Sequence, residues 1–183
     1  MKKSLLLALI PLMFATGCAD EPKEELPPAS ENSYTAKLTA DNSTLVAGAD
    51  DTTEPIQVEV ASNEDANIKY TFEIDPPCYL STKSSVANQI CVKPGAAIRS
   101  VSTYQVEKIT VDFWNGKGTN YQVFNNVEHT GDALEYHESS IAPMDPNDSG
   151  KVYEYAIDAN GWSLYNNTTY KPTFYYITVT FKK

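Results

Sequence analysis

Ile68-Lys69-Tyr70-Thr71-Phe72-Glu73-Ile74 alternates apolar and polar side chains without a break. A strand laid over it has one dry face and one wet face, as in an antiparallel sheet packed on a core. The same period of two recurs in Tyr34, Ala36, Leu38 and Ala40, in Ile56, Val58 and Val60, and in Ile109, Val111 and Phe113. It returns in Tyr121 and Val123, in Tyr153, Tyr155 and Ile157, and in a last run of Tyr175, Ile177, Val179 and Phe181 that sets Phe174, Tyr176, Thr178 and Thr180 opposite. β-Branched and aromatic residues suit such a pleated, half-buried surface. Asn115-Gly116-Lys117-Gly118 and Asp158-Ala159-Asn160-Gly161 accept positive φ and read as hairpin turns, while Asp75-Pro76-Pro77 stops a strand. Helical periodicity is absent from every long stretch, and residues 131–142 hold a short helix at most. The expectation is an all-β fold, an antiparallel β-sandwich with little or no helix.

The chain has 183 residues, 42% hydrophobic and 11% aromatic, which suits one ordinary folded domain. Its formal charge of −10 excludes a nucleic-acid partner, because neutralising phosphates needs a basic face.

The first residues read as an address. Met1-Lys2-Lys3 is basic, and Leu5 to Phe14 is an apolar run too short to remain as a membrane span. Ala15-Thr16-Gly17-Cys18 resembles the lipobox of bacterial lipoproteins, with Ala15 in place of the commoner Leu. The resemblance implies cleavage before Cys18 and acyl chains on that residue, which anchor more firmly than one myristoyl chain. Lys23-Glu24-Glu25 resembles the signal that sends Bacteroidetes lipoproteins to the outer face of the outer membrane; a solvated acidic linker has the same composition. The expected division is a leader over 1–17, lipidated Cys18 and a Pro-rich tether over 18–33, and one sandwich over 34–183. Cleavage removes Lys2 and Lys3 and leaves a still more acidic protein, so lipid rather than surface charge holds it at the membrane.

With Cys18 lipidated, Cys78 and Cys91 are an even pair in an oxidising compartment. A bridge between them closes a loop of about 13 residues, worth roughly 3 kcal/mol. A disulfide is expected, with a reduced buried pair as the competitor.

Leu38-Thr39-Ala40-Asp41-Asn42 through Val46-Ala47-Gly48-Ala49-Asp50-Asp51 resembles the opening of bacterial Ig-like surface repeats. Val106 to Trp114, the turn after it, Asp158 to Leu164 and Lys171-Pro172-Thr173-Phe174-Tyr175 resemble small Bacteroidetes lipoproteins and galactose-binding-like jelly-roll modules. Both resemblances imply a sandwich at a cell surface, and they differ on topology. The second implies a carbohydrate ligand.

Alternation places Trp114 on the polar side of its strand beside a turn, Tyr176 on the outward face of the last strand, and Trp162 after a glycine turn. Aromatic rings stack on the C–H faces of sugars, with nearby acids and amides such as Asp112 and Asn115 reading hydroxyls. The candidate ligand set is therefore Trp114, Asp112, Asn115, Tyr176 and Trp162. Either tryptophan would equally serve to cap one end of the core.

Asp145-Pro146-Asn147-Asp148-Ser149-Gly150 matches the opening of a calcium loop, with Asp145, Asn147 and Ser149 as the oxygen donors. Position twelve of such a loop falls on Ala156, which has no carboxylate, so an ordinary polar loop competes with bound Ca2+ and no other cofactor is expected. Asp51-Thr52-Thr53 resembles the Bacteroidetes O-glycosylation pattern, which would make Thr52 an acceptor. For catalysis the parts are few. His129 and His137 lie near Glu128, Glu135 and Glu138 without an HExxH pattern, and no Gly-x-Ser-x-Gly elbow occurs. Paired carboxylates for glycoside hydrolysis stay open because their separation is spatial. The expectation is a non-enzymatic surface lipoprotein of the outer membrane that binds a glycan. The alternative is a structural or accessory subunit of a cell-surface protein complex or adhesin.

Overall fold

The computed structural model describes residues 32–45, 53–81, 88–114, 120–145, 150–171 and 173–183. Its strands are β1 (Ser33–Thr39), β2 (Ile56–Ala61), β3 (Lys69–Ile74), β4 (Cys78–Leu80), β5 (Ile90–Val92), β6 (Ala97–Ser100), β7 (Gln105–Phe113), β8 (Gln122–Phe124), β9 (His137–Glu138), β10 (Lys151–Ala159), β11 (Ser163–Tyr165) and β12 (Thr173–Lys182). They form two antiparallel sheets packed face to face, as the alternation requires. One sheet runs β4-β5-β12-β7-β10-β9 with β1 also on β12, and the other runs β2-β3-β6-β11-β8. β12 is long enough to serve two neighbours on one side. Its first residues pair with β5, and Tyr176 to Lys182 pair with β1.

The inward residues of both sheets meet in one core. Trp162, Tyr70, Tyr155, Phe72, Phe113, Phe174 and Phe181 are its largest wholly buried side chains. Burying each such side chain is worth about 1.5–3 kcal/mol. Trp162 Nε1 donates to Tyr70 Oη at 2.8 Å and Tyr70 Oη to Ser100 Oγ at 2.6 Å, whereas the buried Tyr155 hydroxyl has no partner.

Four sequence expectations change here. Asn115 to Gly118 lies outside the described residues, and the strands on either side of it, β7 and β8, belong to different sheets and form no hairpin. The segment Asp158 to Gly161 is not a hairpin either, because β10 and β11 belong to different sheets and the chain crosses between them. The crossing delivers Trp162 into the core. In β12 the inward set is Phe174, Ile177, Val179 and Phe181. Phe174 stands opposite Phe113 and Tyr176 opposite Asp112, so Tyr175 is an extra residue in the ladder. That bulge reverses the facing of everything before it. Finally, Cys78 and Cys91 are not joined. Cys78 pairs with Val92 while Cys91 pairs with Tyr79. Neighbouring residues of a strand face opposite ways, so the two thiols point to opposite sides of the β4–β5 pair. Burial pushes the Cys78 thiol far above its ordinary value, with the neighbouring Cys91 and Asp75 adding to the shift.

Both flanks of the sandwich are laced. On one, Asn63 N donates to Thr35 O at 2.9 Å, and Glu64 accepts from Thr35 N at 2.6 Å and Thr35 Oγ1 at 2.7 Å. Asn42 takes Thr39 N at 2.8 Å and gives to Lys37 O at 2.9 Å. On the other flank, Leu134 N donates to Val123 O at 2.7 Å and Ser139 N to Val152 O at 2.8 Å. Ser33 pairs with Lys182, so the start of β1 and the end of β12 lie together at one end. Trp114 follows Phe113 at the opposite end.

Candidate functional site

The residues expected to bind ligand separate. Asp112 and Tyr176 stand opposite each other on the outer face of the seven-stranded sheet. Asp112 is wholly buried there, and its Oδ2 accepts the Met144 N–H at 2.7 Å. Tyr176 is 7% exposed, with Lys37 Nζ 3.7 Å from its ring centre. Burial pushes its phenol up, and the charges of Asp112 and Glu154 push it the same way. The ring is therefore covered by a cation rather than open to a sugar. Trp114 is half-buried at the end of β7. Trp162 is 0% exposed and is a core residue, which corrects its assignment to the binding set. Asn115 lies outside the described residues, as do Cys18, Thr52, Asn147 and Ser149. Asp145 is described, and among the described residues no group of three His, Cys, Asp or Glu is arranged to hold a metal.

A richer constellation occupies the outer face of the five-stranded sheet. Phe72, Ile74, Ile98, Leu164 and Val123 point into the core, so alternation turns Glu73, Arg99, Tyr165 and Gln122 outward. Register puts Glu73 beside Arg99, Arg99 beside Ser163, and Tyr165 beside Gln122. Arg99 Nε donates to Glu73 Oε1 at 2.8 Å, and Nη2 bridges Glu73 Oε1 at 2.7 Å and Asp75 Oδ1 at 2.9 Å. The planar guanidinium suits this fork better than an ammonium would. Gln57 Nε2 adds a bond to Glu73 Oε2 at 3.0 Å. The Gln57 bond and Arg99 hold the Glu73 carboxyl below its ordinary value against the cost of burial. Asp75 goes the other way: burial raises it, Arg99 pulls it down, and Glu73 pushes it up again.

Residues 125–131 fold over the edge of this face. Asn126 Nδ2 donates to Thr130 O at 2.8 Å, its Oδ1 accepts from Thr130 N at 3.1 Å, and Ser163 Oγ fastens Asn126 O at 2.8 Å. A side chain at Gly161 would stand 3.1 Å from Val127 Cγ1, so glycine lets the segment lie close. At its tip His129 takes φ 57°, a left-handed conformation uncommon for a residue with a side chain. Its ring stacks on Tyr165 with centroids 4.6 Å apart and planes 6° from parallel. His129 Nδ1 is buried with no hydrogen-bond partner. Burial and the charge of Arg99 depress the imidazole below its ordinary value, while Asp75 and Glu128 pull it up. Alongside, Asn167 Nδ2 donates to Gln122 Oε1 at 2.6 Å.

The array thus offers an aromatic pair, two half-buried carboxylates, one guanidinium and an amide pair on a rigid sheet. Tyr121, next to Gln122, packs on Phe113 and Phe174, whereas Tyr70 packs on Phe181. The array therefore lies toward the end away from Ser33 and Lys182. One signal of it was present in the sequence: Arg99 is the only arginine in the chain. No protein family, curated protein or solved structure matches this chain.

Proposed function

We propose that the chain is a lipoprotein held at the outer membrane by acyl chains on Cys18, whose sandwich binds an extracellular glycan without catalysis. The observation that carries the binding reading is the His129–Tyr165 stack bordered by Arg99, Glu73, Asp75 and the Gln122–Asn167 pair. Aromatic rings accept the C–H face of a pyranose, and fixed carboxylates and amides accept or donate to its hydroxyls. Its position supports the same reading. Ser33, the first residue of β1, lies at one end of the sandwich, and the array lies toward the other end.

The test is a glycan array probed with the mature chain carrying Cys18→Ser, beside Tyr165→Ala. Selective retention lost in Tyr165→Ala supports the reading, and a silent array with folded protein overturns it. A protein partner is the second reading. It draws on Tyr136, Ile141 and Met144, large apolar side chains that stand exposed around β9.

A further inference from the structure

If the outer face of the five-stranded sheet binds a glycan, its electrostatics determine which kind. Among the described residues, two cations stand on the strands of this face, and both are committed. Arg99 is shared between Glu73 and Asp75, and Lys69, further along β3, pairs with Glu59 at 3.0 Å. Two carboxylates against one guanidinium leave the triad one negative charge in excess. His129 adds no positive charge near neutral pH, since burial and Arg99 hold it below the ordinary imidazole value.

From this geometry we infer that the face takes an uncharged, hydroxyl-rich saccharide and turns away carboxylated or sulfated glycans. The inference rests on the glycan reading above and goes beyond it to the charge class of the ligand. An anionic sugar would have to displace Glu73 or Asp75 from Arg99. The side chains of that triad are only 27%, 15% and 18% exposed for Arg99, Glu73 and Asp75. Breaking a partly desolvated pair strands a carboxylate, which is costlier than losing a surface ion pair. The formal charge of −10 adds repulsion at longer range. A neutral sugar meets no such barrier. An ionised carboxylate has about four acceptor sites, so Glu73 and Asp75 can take hydroxyl donors while keeping Arg99. The sugar's C–H face meets the aromatic pair.

The experiment uses the mature chain with Cys18→Ser and a matched pair of ligands: a neutral hexose oligomer retained on the array, and the same oligomer oxidised at C6 to the uronate. Calorimetry is expected to show the uronate at least ~10-fold weaker, about 1.4 kcal/mol. Equal or tighter uronate binding overturns the charge inference and leaves glycan binding standing. Retention of no glycan by folded protein overturns glycan binding itself. The paired variant Glu73→Gln, Asp75→Asn releases Arg99 and is expected to gain uronate binding, a change that misfolding does not mimic. A folded double variant without that gain overturns the proposed role of the triad.

Discussion

Trp162, where the chain enters β11, is joined through a single donor to β3 of the same five-stranded sheet. Its indole fills the centre of the core, and its N–H reaches Tyr70 Oη. Trp162→Phe removes the donor and leaves a void, so it is expected to cost about 2–4 kcal/mol, read as a lower urea midpoint at unchanged slope. Trp162→Ala is expected to cost more. The cysteines carry the opposite lesson. Opposed facing of Cys78 and Cys91 predicts that intact mass is unchanged by reductant, and that both thiols react with Ellman's reagent only after denaturation. A reductant-sensitive mass would refute this. The spacing of these residues was legible in the sequence, but their register was not, because a slip of one residue alters facing without altering loop length. Arg99 stood out as the one arginine, but its pairing was equally opaque. Its partners lie 24 and 26 positions away and meet it only once β3 and β6 pair.

Strands were the legible elements, because period-two alternation is a local property. Bulges were not. Phe174-Tyr175-Tyr176-Ile177 is apolar at every position, so either phase buries a hydrophobic face. Only pairing with β7 selects Phe174 over Tyr175. Two connecting elements lead to further predictions. The 125–131 segment docks with His129 neutral against Tyr165. The charged and titratable groups around it are Asp75 and Glu73 from β3 and its end, Arg99 from β6, Tyr165 from β11 and Glu128 from its own segment. A depressed imidazole takes its proton more readily when the segment is released. Docking is therefore full above the ordinary imidazole value and weakens as pH falls below it toward the lower, docked value. The hydrogen-exchange protection of residues 125–131, taken relative to the intrinsic rate at each pH, is expected to fall on mild acidification, and His129→Phe is expected to remove that fall. The β2–β3 turn guards β1 in a similar way. Glu64 is buried enough for that to raise its carboxyl, yet bonds from Ser62 and Thr35 outweigh this and hold it low. Its contribution is present above the ordinary carboxylate range and is lost as pH falls through the folded value. Glu64→Ala exposes the outer edge of β1, and sedimentation is expected to show concentration-dependent association where the parent stays monomeric.

At the scale of the whole molecule, one shared core and two laced flanks leave no line along which the sheets separate independently. Urea unfolding is expected to be a single transition, coincident by aromatic fluorescence and far-ultraviolet dichroism; two resolved steps would contradict it. The placement of β1 along β12 also has a mechanical consequence. β1 runs from the end that carries Ser33 toward the far end and is held to β12 over seven residue pairs, Ser33↔Lys182 to Thr39↔Tyr176. Under the proposed anchoring ahead of Ser33, a load applied between that anchor and something gripped at the far end would pull along the axis of β1. The β1–β12 hydrogen bonds would then bear it together, in shear, instead of opening one after another like a zip. A pull on the chain ahead of Ser33 would thus meet the fold in the direction that best resists being pulled apart.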